Sequence, residues 1–201
     1  SIPLKHIVTA AHYNGKIPRN PFAMYHVDPD HKEREFLTLD ELTAMTEIKL
    51  EDPNMAFARD LFIFGSWTGI AFIDIKNLTE DNISMVNGAP WIVSKRQKTG
   101  VPFQIKLLDI PMQIVERYKS FRNGNHLFNI GNLDSINKRI KKVAVMCGIK
   151  KRVSFHVSRH SWAVLALEYG MPIESVSKIL GHTNITTTQI YAKVTSSKLD
   201  H

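Results

Sequence analysis

The stretch HVSRHSWAVLALEYG, residues 156–170, is the segment from which the fold can be worked out. It is predicted to form a helix that closes at Gly170, because glycine suits the residue after a helix end. His156 and His160 then share one helical face with Arg159 beside them, since residues four apart lie one above the other. Such a face could bind a metal, grip a phosphate or have no chemical role.

The segments that follow continue the helical pattern toward the end of the chain. Pro172 suits a first helical position, and an apolar face comes after it at Ile173, Val176, Ile179 and Leu180. Gly181 ends that helix and leaves His182 on a turn. The last segment, NITTTQIYAKV (residues 184–194), carries Tyr191.

Two helices are predicted upstream. In LTLDEL (residues 37–42), Thr38 can cap a helix while Glu41 returns a bond to the Thr38 N–H, and Leu37 and Leu42 are spaced as a hydrophobic staple. The segment FARDLFIFGSWTGI (residues 57–70) is apolar on nearly every side. It therefore predicts a buried helix that ends near Gly69.

In the middle of the chain, the spacing of apolar residues changes from a helical period to the alternation of strands. ISMVNGAPWIVSKRQ (residues 83–97) places Asn87-Gly88 between two apolar runs, a strong hairpin signal because both residues tolerate positive φ. A second turn at Thr99-Gly100 leads into FQIKL (residues 103–107), where apolar and polar residues alternate. The helical period returns from Pro111. The predicted class is mainly α (α+β) with one small three-stranded antiparallel sheet.

The N-terminal part is predicted to belong to a different domain. The run DPDHKERE (residues 28–35) is dense in charge, as a linker would be. Residues 1–33 are therefore interpreted as the tail of a preceding domain plus a tether, and residues 34–201 as a second domain. The chain is expected to be a fragment of a longer protein.

Composition narrows the class of function. The chain is 43% hydrophobic and 22% charged, which is typical of a folded protein, and no apolar run approaches the ~20 residues that span a membrane. The single cysteine, Cys147, excludes internal disulfides and multi-cysteine zinc clusters and suits a reducing cytoplasm. A net charge of +7 favours a polyanionic partner such as nucleic acid.

Two enzyme classes fit the motifs poorly. The zinc-protease helix needs glutamate directly after its first histidine, but Val157 follows His156, and Arg159 would place a cation beside the metal. In GSWTG (residues 65–69) the serine is second rather than third and lies in a helical run, unlike a nucleophile elbow. Neither a zinc site nor a serine hydrolase is favoured.

Phosphate binding remains. The planar fork of Arg159 matches two phosphate oxygens, His156 and His182 can add hydrogen bonds, and KRQKTG brings Lys98 to a hairpin tip. Taken singly, each residue has an ordinary structural explanation: an interior histidine, a packed tyrosine, a solvated basic turn. Their order along the chain is what distinguishes them.

The pattern His-x-x-Arg at 156–159, Leu-Gly-His at 180–182 and then Tyr191 resembles the tyrosine recombinase (phage integrase) family. KRQKTG resembles the family's lysine hairpin, and TGIAFIDIKNL (residues 68–78) resembles its threonine-glycine segment with an acidic residue, Asp74. The resemblance runs from about Phe36 to Val194. It implies the helical recombinase catalytic fold, and it implies that residues 1–33 end an N-terminal DNA-clamping (core-binding) domain.

The resemblance also implies a set of roles. Tyr191 would attack a DNA phosphate and form a 3′-phosphotyrosine, Arg159 and His182 would bind the non-bridging oxygens, and His156 would assist proton transfer at the phenol. Lys98 would protonate the departing 5′-oxygen. Supporting roles are implied for His160 and Asp74, and DNA contacts for Lys95, Arg96 and Thr99. Neither cofactor nor metal is implied.

One position departs from the family pattern. The family normally carries an arginine directly after the threonine-glycine-aliphatic triplet, and this chain has Ala71 there. The protein could be inactive, another cation could substitute, with Lys76, Lys95 and Arg96 as candidates, or the chain could belong to a subgroup that works without that arginine. The chain is similar in this respect to mobile-element integrases of gut anaerobes, which favours the third explanation.

The expected partner is double-stranded DNA, on which the protein would form a homotetramer while being monomeric alone, in a bacterial cytoplasm and away from membranes. Two alternatives stay open at this point. The chain could be a non-catalytic DNA-binding relative of the same fold, or it could relax DNA as a type IB topoisomerase does.

Overall fold

Helix α3, Pro53–Thr68, lies at the centre of the fold, and every residue from 58 to 66 is buried. Four helices surround it: α2 (Leu39–Glu47), α5 (Asp109–Arg117), α6 (Leu133–Met146) and α7 (Phe155–Glu168). A helix that is apolar on all sides needs neighbours on all sides. The predicted end of this helix is confirmed, because Gly69 caps it in the left-handed region with φ 65°.

The computed structural model of the chain describes residues 2–24 and 34–199. The chain divides into two compact units, residues 1–33 and 34–201. In the first unit, α1 spans Ile2–Tyr13, and Gly15 adopts a positive φ soon after its end. Most of the predicted charged linker, residues 28–33, lies outside the described residues.

The predicted start of α2 is confirmed in detail. The Glu41 N–H donates to the Thr38 hydroxyl at 3.3 Å, and the Thr38 N–H donates to the Glu41 carboxylate at 2.8 Å. Leu37 and Leu42, on either side of this capping box, are both buried in the main core. The cap fixes where the second unit's first helix begins.

The predicted three-stranded antiparallel sheet is also confirmed, with strands β1 (Ile83–Val86), β2 (Ala89–Lys95) and β3 (Pro102–Lys106) in that order. Asn87 and Gly88 form the first turn, both with positive φ. In β3, Phe103 and Ile105 are buried while their neighbours are exposed, which is the alternation of a half-buried strand. A short helix, α4 (Phe72–Lys76), links α3 to this sheet.

The last two helices are α8 (Ile173–Leu180) and α9 (Thr186–Leu199), and both pack with α7 around a second apolar cluster that contains Trp162, Val176 and Tyr191. The position of Pro172 differs by one residue from the prediction. Its ψ of 138° places it at the N-cap, and its carbonyl accepts the first helical hydrogen bond, from Val176 at 3.1 Å. Within the described residues, none of these helices is long and apolar enough to cross a bilayer.

A buried carboxylate, Asp60, ties three helices together. It accepts hydrogen bonds from Arg59 at 2.5 Å, Arg117 at 2.6 Å and the Tyr118 hydroxyl at 2.7 Å. Arg59 in turn donates to three carbonyls near the end of α2, those of Met45, Thr46 and Ile48. The network joins α2, α3 and α5 through charge-assisted bonds.

Removing Asp60 should therefore destabilise the protein strongly. Asp60→Ala leaves Arg59, 8% exposed, as a buried cation without its carboxylate, and breaking such a pair typically costs about 3–5 kcal/mol of unfolding free energy. Urea denaturation measures the change. Arg117→Ala is the matched control, since that side chain is 53% exposed and its loss should cost far less. Equal losses from both variants would contradict the assignment of Asp60 as the central partner.

Candidate active site

Arg159 is held by main-chain carbonyls from two helix ends. Its Nη1 donates to the Gly69 carbonyl at 2.9 Å, and its Nη2 donates to the Leu180 carbonyl. The last carbonyls of a helix lack intrahelical partners and carry partial negative charge, so they favour a cation. The guanidinium has five N–H donors, and these two bonds leave others for a phosphate.

Gly69 makes this arrangement possible in two ways. Its φ of 65° lies where side chains are strained, and a Cβ there would come within 2.6 Å of the Trp162 indole. The turn therefore brings the end of α3 directly onto α7. Arg159 precedes Trp162 by about one turn of α7. The Gly69 carbonyl therefore lies within hydrogen-bonding distance of Arg159.

Tyr191 belongs to α9, which packs against α7, and it is almost fully buried, at 2% exposure. Its phenol oxygen is 2.6 Å from Nδ1 of His160, a short hydrogen bond, and the two rings are 5.5 Å apart. Nη1 of Arg34 lies 3.5 Å from the same oxygen, and the guanidinium carbon is 6.0 Å from the ring centroid. The phenol is thus flanked by an imidazole and a cation.

His156 is exposed and lies on α7, the helix that also carries His160. Its ring meets that of His160 edge to face, with centroids 4.3 Å apart. The family resemblance implied proton transfer at the phenol for His156 and a supporting role for His160. In the structure, His160 is the histidine hydrogen-bonded to the phenol.

His182 follows α8 on the turn predicted after Gly181. Its Nδ1 is 2.9 Å from the hydroxyl of Thr188, which is fully buried. This bond fixes the imidazole and leaves Nε2 available for another partner. Thr188 was missed by sequence reasoning because a threonine in a run of three carries no signal of its own.

Arg96 and Asp74 form a buried ion pair beneath the β2–β3 turn. The two side chains meet at 3.0 Å, the Gln97 N–H also donates to Asp74 at 2.8 Å, and Arg96 is only 4% exposed. The Arg96 guanidinium stacks over Phe103 at 4.0 Å and donates to the Ile179 carbonyl. It therefore lies beside Arg159, on the neighbouring carbonyl of α8, rather than on the surface.

The other basic residues predicted for this region lie apart from the cluster. Lys98 and Thr99 are exposed in the β2–β3 turn, and Lys95 is exposed at the end of β2. Lys98 makes no hydrogen bond or ion pair with the described residues. The structure therefore gathers Arg159, His156, His160, His182 and Tyr191, but it does not bring Lys98 to them.

A cleft of about 440 Å³ opens beside the cluster. Arg159 and His156 lie on its wall, together with Ala71 and its neighbours Ile70 and Phe72. Among the cations proposed to substitute for an arginine at position 71, Lys76 reaches the Gly131 carbonyl and Arg96 is neutralised by Asp74. Arg34, which sequence reasoning missed at the edge of the charged linker, has no carboxylate partner among the described residues.

Burial and crowded positive charge lower the pKa of every imidazole in the cluster. The pKa of His160 falls to about 3 and that of His182 to about 4, in both cases mainly through burial and then through neighbouring positive groups, including Arg159 and Arg34. The pKa of His156 is lowered for the same reasons. Burial also lowers the pKa of Arg159 to about 10 and raises that of Tyr191.

These shifts predict an acid-sensitive fold. An imidazole with a lowered folded-state pKa takes up its proton in the unfolded state first, so stability is lost as pH falls below about 6.5. The midpoint of thermal unfolding should therefore drop between pH 7 and pH 4. A His160→Asn, His182→Asn double variant should show a shallower drop, and an unchanged pH dependence would contradict the burial of neutral imidazoles.

Few potential metal ligands lie together in this cluster. His156 and His160 are adjacent, but within residues 2–24 and 34–199 no group of three or more histidine, cysteine or acidic side chains could hold an ion together. Ser66, considered as a nucleophile, is buried inside α3 and donates to the Phe62 carbonyl at 2.9 Å. The side chains that lie together are a hydrogen-bond donor, Arg159, and three imidazoles near the phenol of Tyr191.

Comparisons with known proteins show the family to which the chain belongs. The model of the phage integrase family matches residues 35–198. The tyrosine recombinase XerC of Natranaerobius thermophilus is 26% identical over 184 residues, which are 85% of this chain and 62% of that protein. The tyrosine recombinase XerD of Vibrio cholerae is 29% identical over 143 residues, or 66% and 47% of the two chains.

Solved structures share the fold at low sequence identity. The Tn1549 transposon integrase in complex with circular intermediate DNA matches with a TM-score of 0.74 and 20% identity, over 94% of this chain and 71% of that chain. A lambda integrase dimer bound to a COC′ core site matches with a TM-score of 0.75 and 19% identity, over 94% and 69%. The chain spans less than two thirds of the two curated relatives described above.

Proposed function

Because the chain belongs to the phage integrase family and carries a tyrosine-recombinase catalytic domain, we propose that it cleaves and rejoins double-stranded DNA. Tyr191 is the nucleophile in this proposal. Its phenol oxygen attacks a backbone phosphorus, forms a 3′-phosphotyrosine and releases a 5′-hydroxyl. A 5′-hydroxyl, from the same or a partner strand, then reverses the step.

The observation that carries this proposal is the gathering of Tyr191, Arg159 and His182 with two further imidazoles at one site. The transition state concentrates charge on the phosphoryl oxygens, so fixed donors aimed at them are the main source of catalysis. Arg159 and His182 are each held by a defined protein partner, the Leu180 carbonyl and the Thr188 hydroxyl. They are therefore assigned to the two non-bridging oxygens.

Lys98 is assigned to the departing 5′-oxygen. A lysine can donate a proton there, and its place in an exposed turn lets it approach DNA bound over the site. Asp74 supports this role, because it bonds Arg96 and the Gln97 N–H and so fixes the base of the turn. Lys95 and Thr99 are assigned to backbone contacts with DNA beside that turn.

No ATP and no metal are needed in this scheme, since the covalent link keeps the phosphodiester energy. Four copies would act together on two DNA duplexes, in a bacterial cytoplasm, because strand exchange needs two cleaved partners. The site is proposed to work without an arginine at position 71. Two cations, Arg159 and Arg34, act on the phenol, and these supply the positive charge.

The test is a search for the covalent adduct. A pool of duplex oligonucleotides with randomised sequence and a nick near the centre would be incubated with the 201-residue chain. Cleavage beside the nick frees a short fragment, so the adduct cannot be reversed and is seen on a denaturing gel. Sequencing the trapped DNA identifies the preferred duplex. Binding of the pool without any adduct would instead favour a non-catalytic DNA-binding protein.

A further inference from the structure

The phenol of Tyr191 has two polar neighbours whose chemistry differs. His160 approaches it at 2.6 Å from α7, and Arg34 at 3.5 Å from the segment before α2. An imidazole can accept a proton, whereas an arginine cannot and can only stabilise negative charge. The two neighbours therefore suit the two requirements of a phenol that must become a nucleophile.

We propose that His160 accepts the proton of Tyr191 as the phenol attacks DNA, and that Arg34 stabilises the oxygen while it carries negative charge. The proposal rests on the proposed function, because it names the groups that activate the same nucleophile. His156 then acts at the phosphate edge of the site rather than on the phenol. Its exposed ring on the wall of the cleft suits that role.

Two protons move when the DNA strand is cleaved. The O–H bond of Tyr191 breaks and its proton moves to Nδ1 of His160, which becomes cationic. The freed electron pair forms the bond from the phenol oxygen to phosphorus, the bond from phosphorus to the 5′-oxygen breaks, and Lys98 supplies the proton that this oxygen takes up. On rejoining, each proton returns to the residue from which it came.

The surroundings of His160 explain why the phenol stays protonated until DNA is present. The charged and titratable groups that face it are His156 and Arg159 on its own helix, Tyr191 on α9, Arg34 before α2 and His182 after α8. None of these is a carboxylate that would favour a protonated imidazole, and positive charge together with burial lowers the pKa of His160 to about 3.

A phosphate changes this balance because it brings negative charge beside Arg159 and His182. It offsets part of the positive potential at His160 and makes the imidazole a better proton acceptor. The nucleophile would thus be activated by the phosphate that it is about to attack. This order would protect the enzyme from carrying an ionised phenol without substrate.

The test measures single-turnover adduct formation on the nicked duplex recovered from the randomised pool. His160→Asn keeps a polar group near the phenol but cannot take its proton, and it should slow adduct formation about 10²-fold or more at pH 7. Its rate should rise more steeply with pH than that of the wild type, because hydroxide replaces the imidazole. His156→Asn is the matched control, one helical turn away, and should lose rate without gaining this steeper pH dependence.

A modified substrate separates activation of the phenol from protonation of the leaving group. A 5′-bridging phosphorothiolate has a leaving group that needs no proton, so it should restore Lys98→Ala but leave His160→Asn slow. Wild-type rates in His160→Asn, or rescue of that variant by the phosphorothiolate, would overturn the proposal. So would an equal loss at every pH, which would make His160 a positioning residue only.

Arg34 provides a second measurement that does not disturb the core, because its side chain is exposed. Arg34→Gln should slow adduct formation and raise the pH at which the Tyr191 phenolate forms, read as absorbance near 295 nm relative to Tyr191→Phe. No change in either quantity would overturn the role of Arg34. Absence of any wild-type adduct would instead defeat the proposed function itself, so the two failures are distinguishable.

Discussion

Tyr191→Phe is expected to abolish the covalent protein–DNA adduct while leaving the fold and DNA binding nearly intact. The variant removes one oxygen, the atom that would form the bond to phosphorus, and no other described phenol lies at the site. The ring still fills its place in the cluster with Trp162 and Val176. A denaturing gel with the nicked duplex should show adduct for the wild type and none for the variant.

The hydrogen bond to His160 is lost in the same variant, which provides an internal check on folding. Losing one hydrogen bond between partners typically costs about 0.5–1.5 kcal/mol, so the thermal midpoint should shift only slightly. Tyr169→Phe is the matched control, since that tyrosine is 74% exposed at the end of α7. An adduct of normal yield from Tyr191→Phe would show that another residue is the nucleophile.

Local signals in the sequence were sufficient for most of the secondary structure. The capping box at Thr38 and Glu41 and the hairpin turn at Asn87-Gly88 depend on neighbouring residues only, so their patterns determine the structure directly. The central helix α3 was recognisable because an all-apolar helix must be buried. The one-residue error at Pro172 arose where N-cap and first helical position both accept proline.

Side-chain partners could not be predicted in the same way, since they depend on how distant segments pack. Motif order placed Arg159, His182 and Tyr191 in one site, but nothing local distinguished His160 from His156 as the neighbour of the phenol. That choice is made by the packing of α9 against α7. Arg96 was interpreted as a DNA contact, yet the structure buries it because Asp74, distant in sequence, neutralises its charge.

Arg34 is a site residue that the sequence did not predict. In the sequence it belongs to a charged run and has no distinguishing feature. In the structure it reaches Tyr191, far along the chain, and joins the positive charge around the phenol. A linker-like composition therefore does not exclude a role in the site, because proximity to the nucleophile is a property of the fold.

Arg159→Gln should slow adduct formation by about 10²–10³-fold, the usual cost of removing one donor to a developing oxyanion. Glutamine can still donate to one of the carbonyls of Gly69 and Leu180, so the helix ends keep part of their partner while the charge is lost. Single-turnover rates on the recovered nicked duplex measure the effect. Affinity for that duplex should fall much less, because many other phosphate contacts contribute to binding.

A neutral substrate tests whether the lost charge is the cause. A methylphosphonate at the cleavage position lacks one negative oxygen, so it needs less positive charge, and the gap between wild type and Arg159→Gln should shrink on it. Asp74→Asn is the comparison, because it alters the neighbouring buried pair without removing a cation. If the gap stayed the same on both substrates, Arg159 would act through structure alone.

The family arginine that is missing at position 71 can be tested by restoring it. If Arg159 and Arg34 already provide enough positive charge, Ala71→Arg is not required for cleavage, and it should change the wild-type rate little on the ordinary phosphate. Ala71 lines the cleft of about 440 Å³ beside Arg159, so there is room for the longer side chain. Cleavage by Ala71→Arg together with none by the unaltered chain would mean that the missing arginine has inactivated this protein.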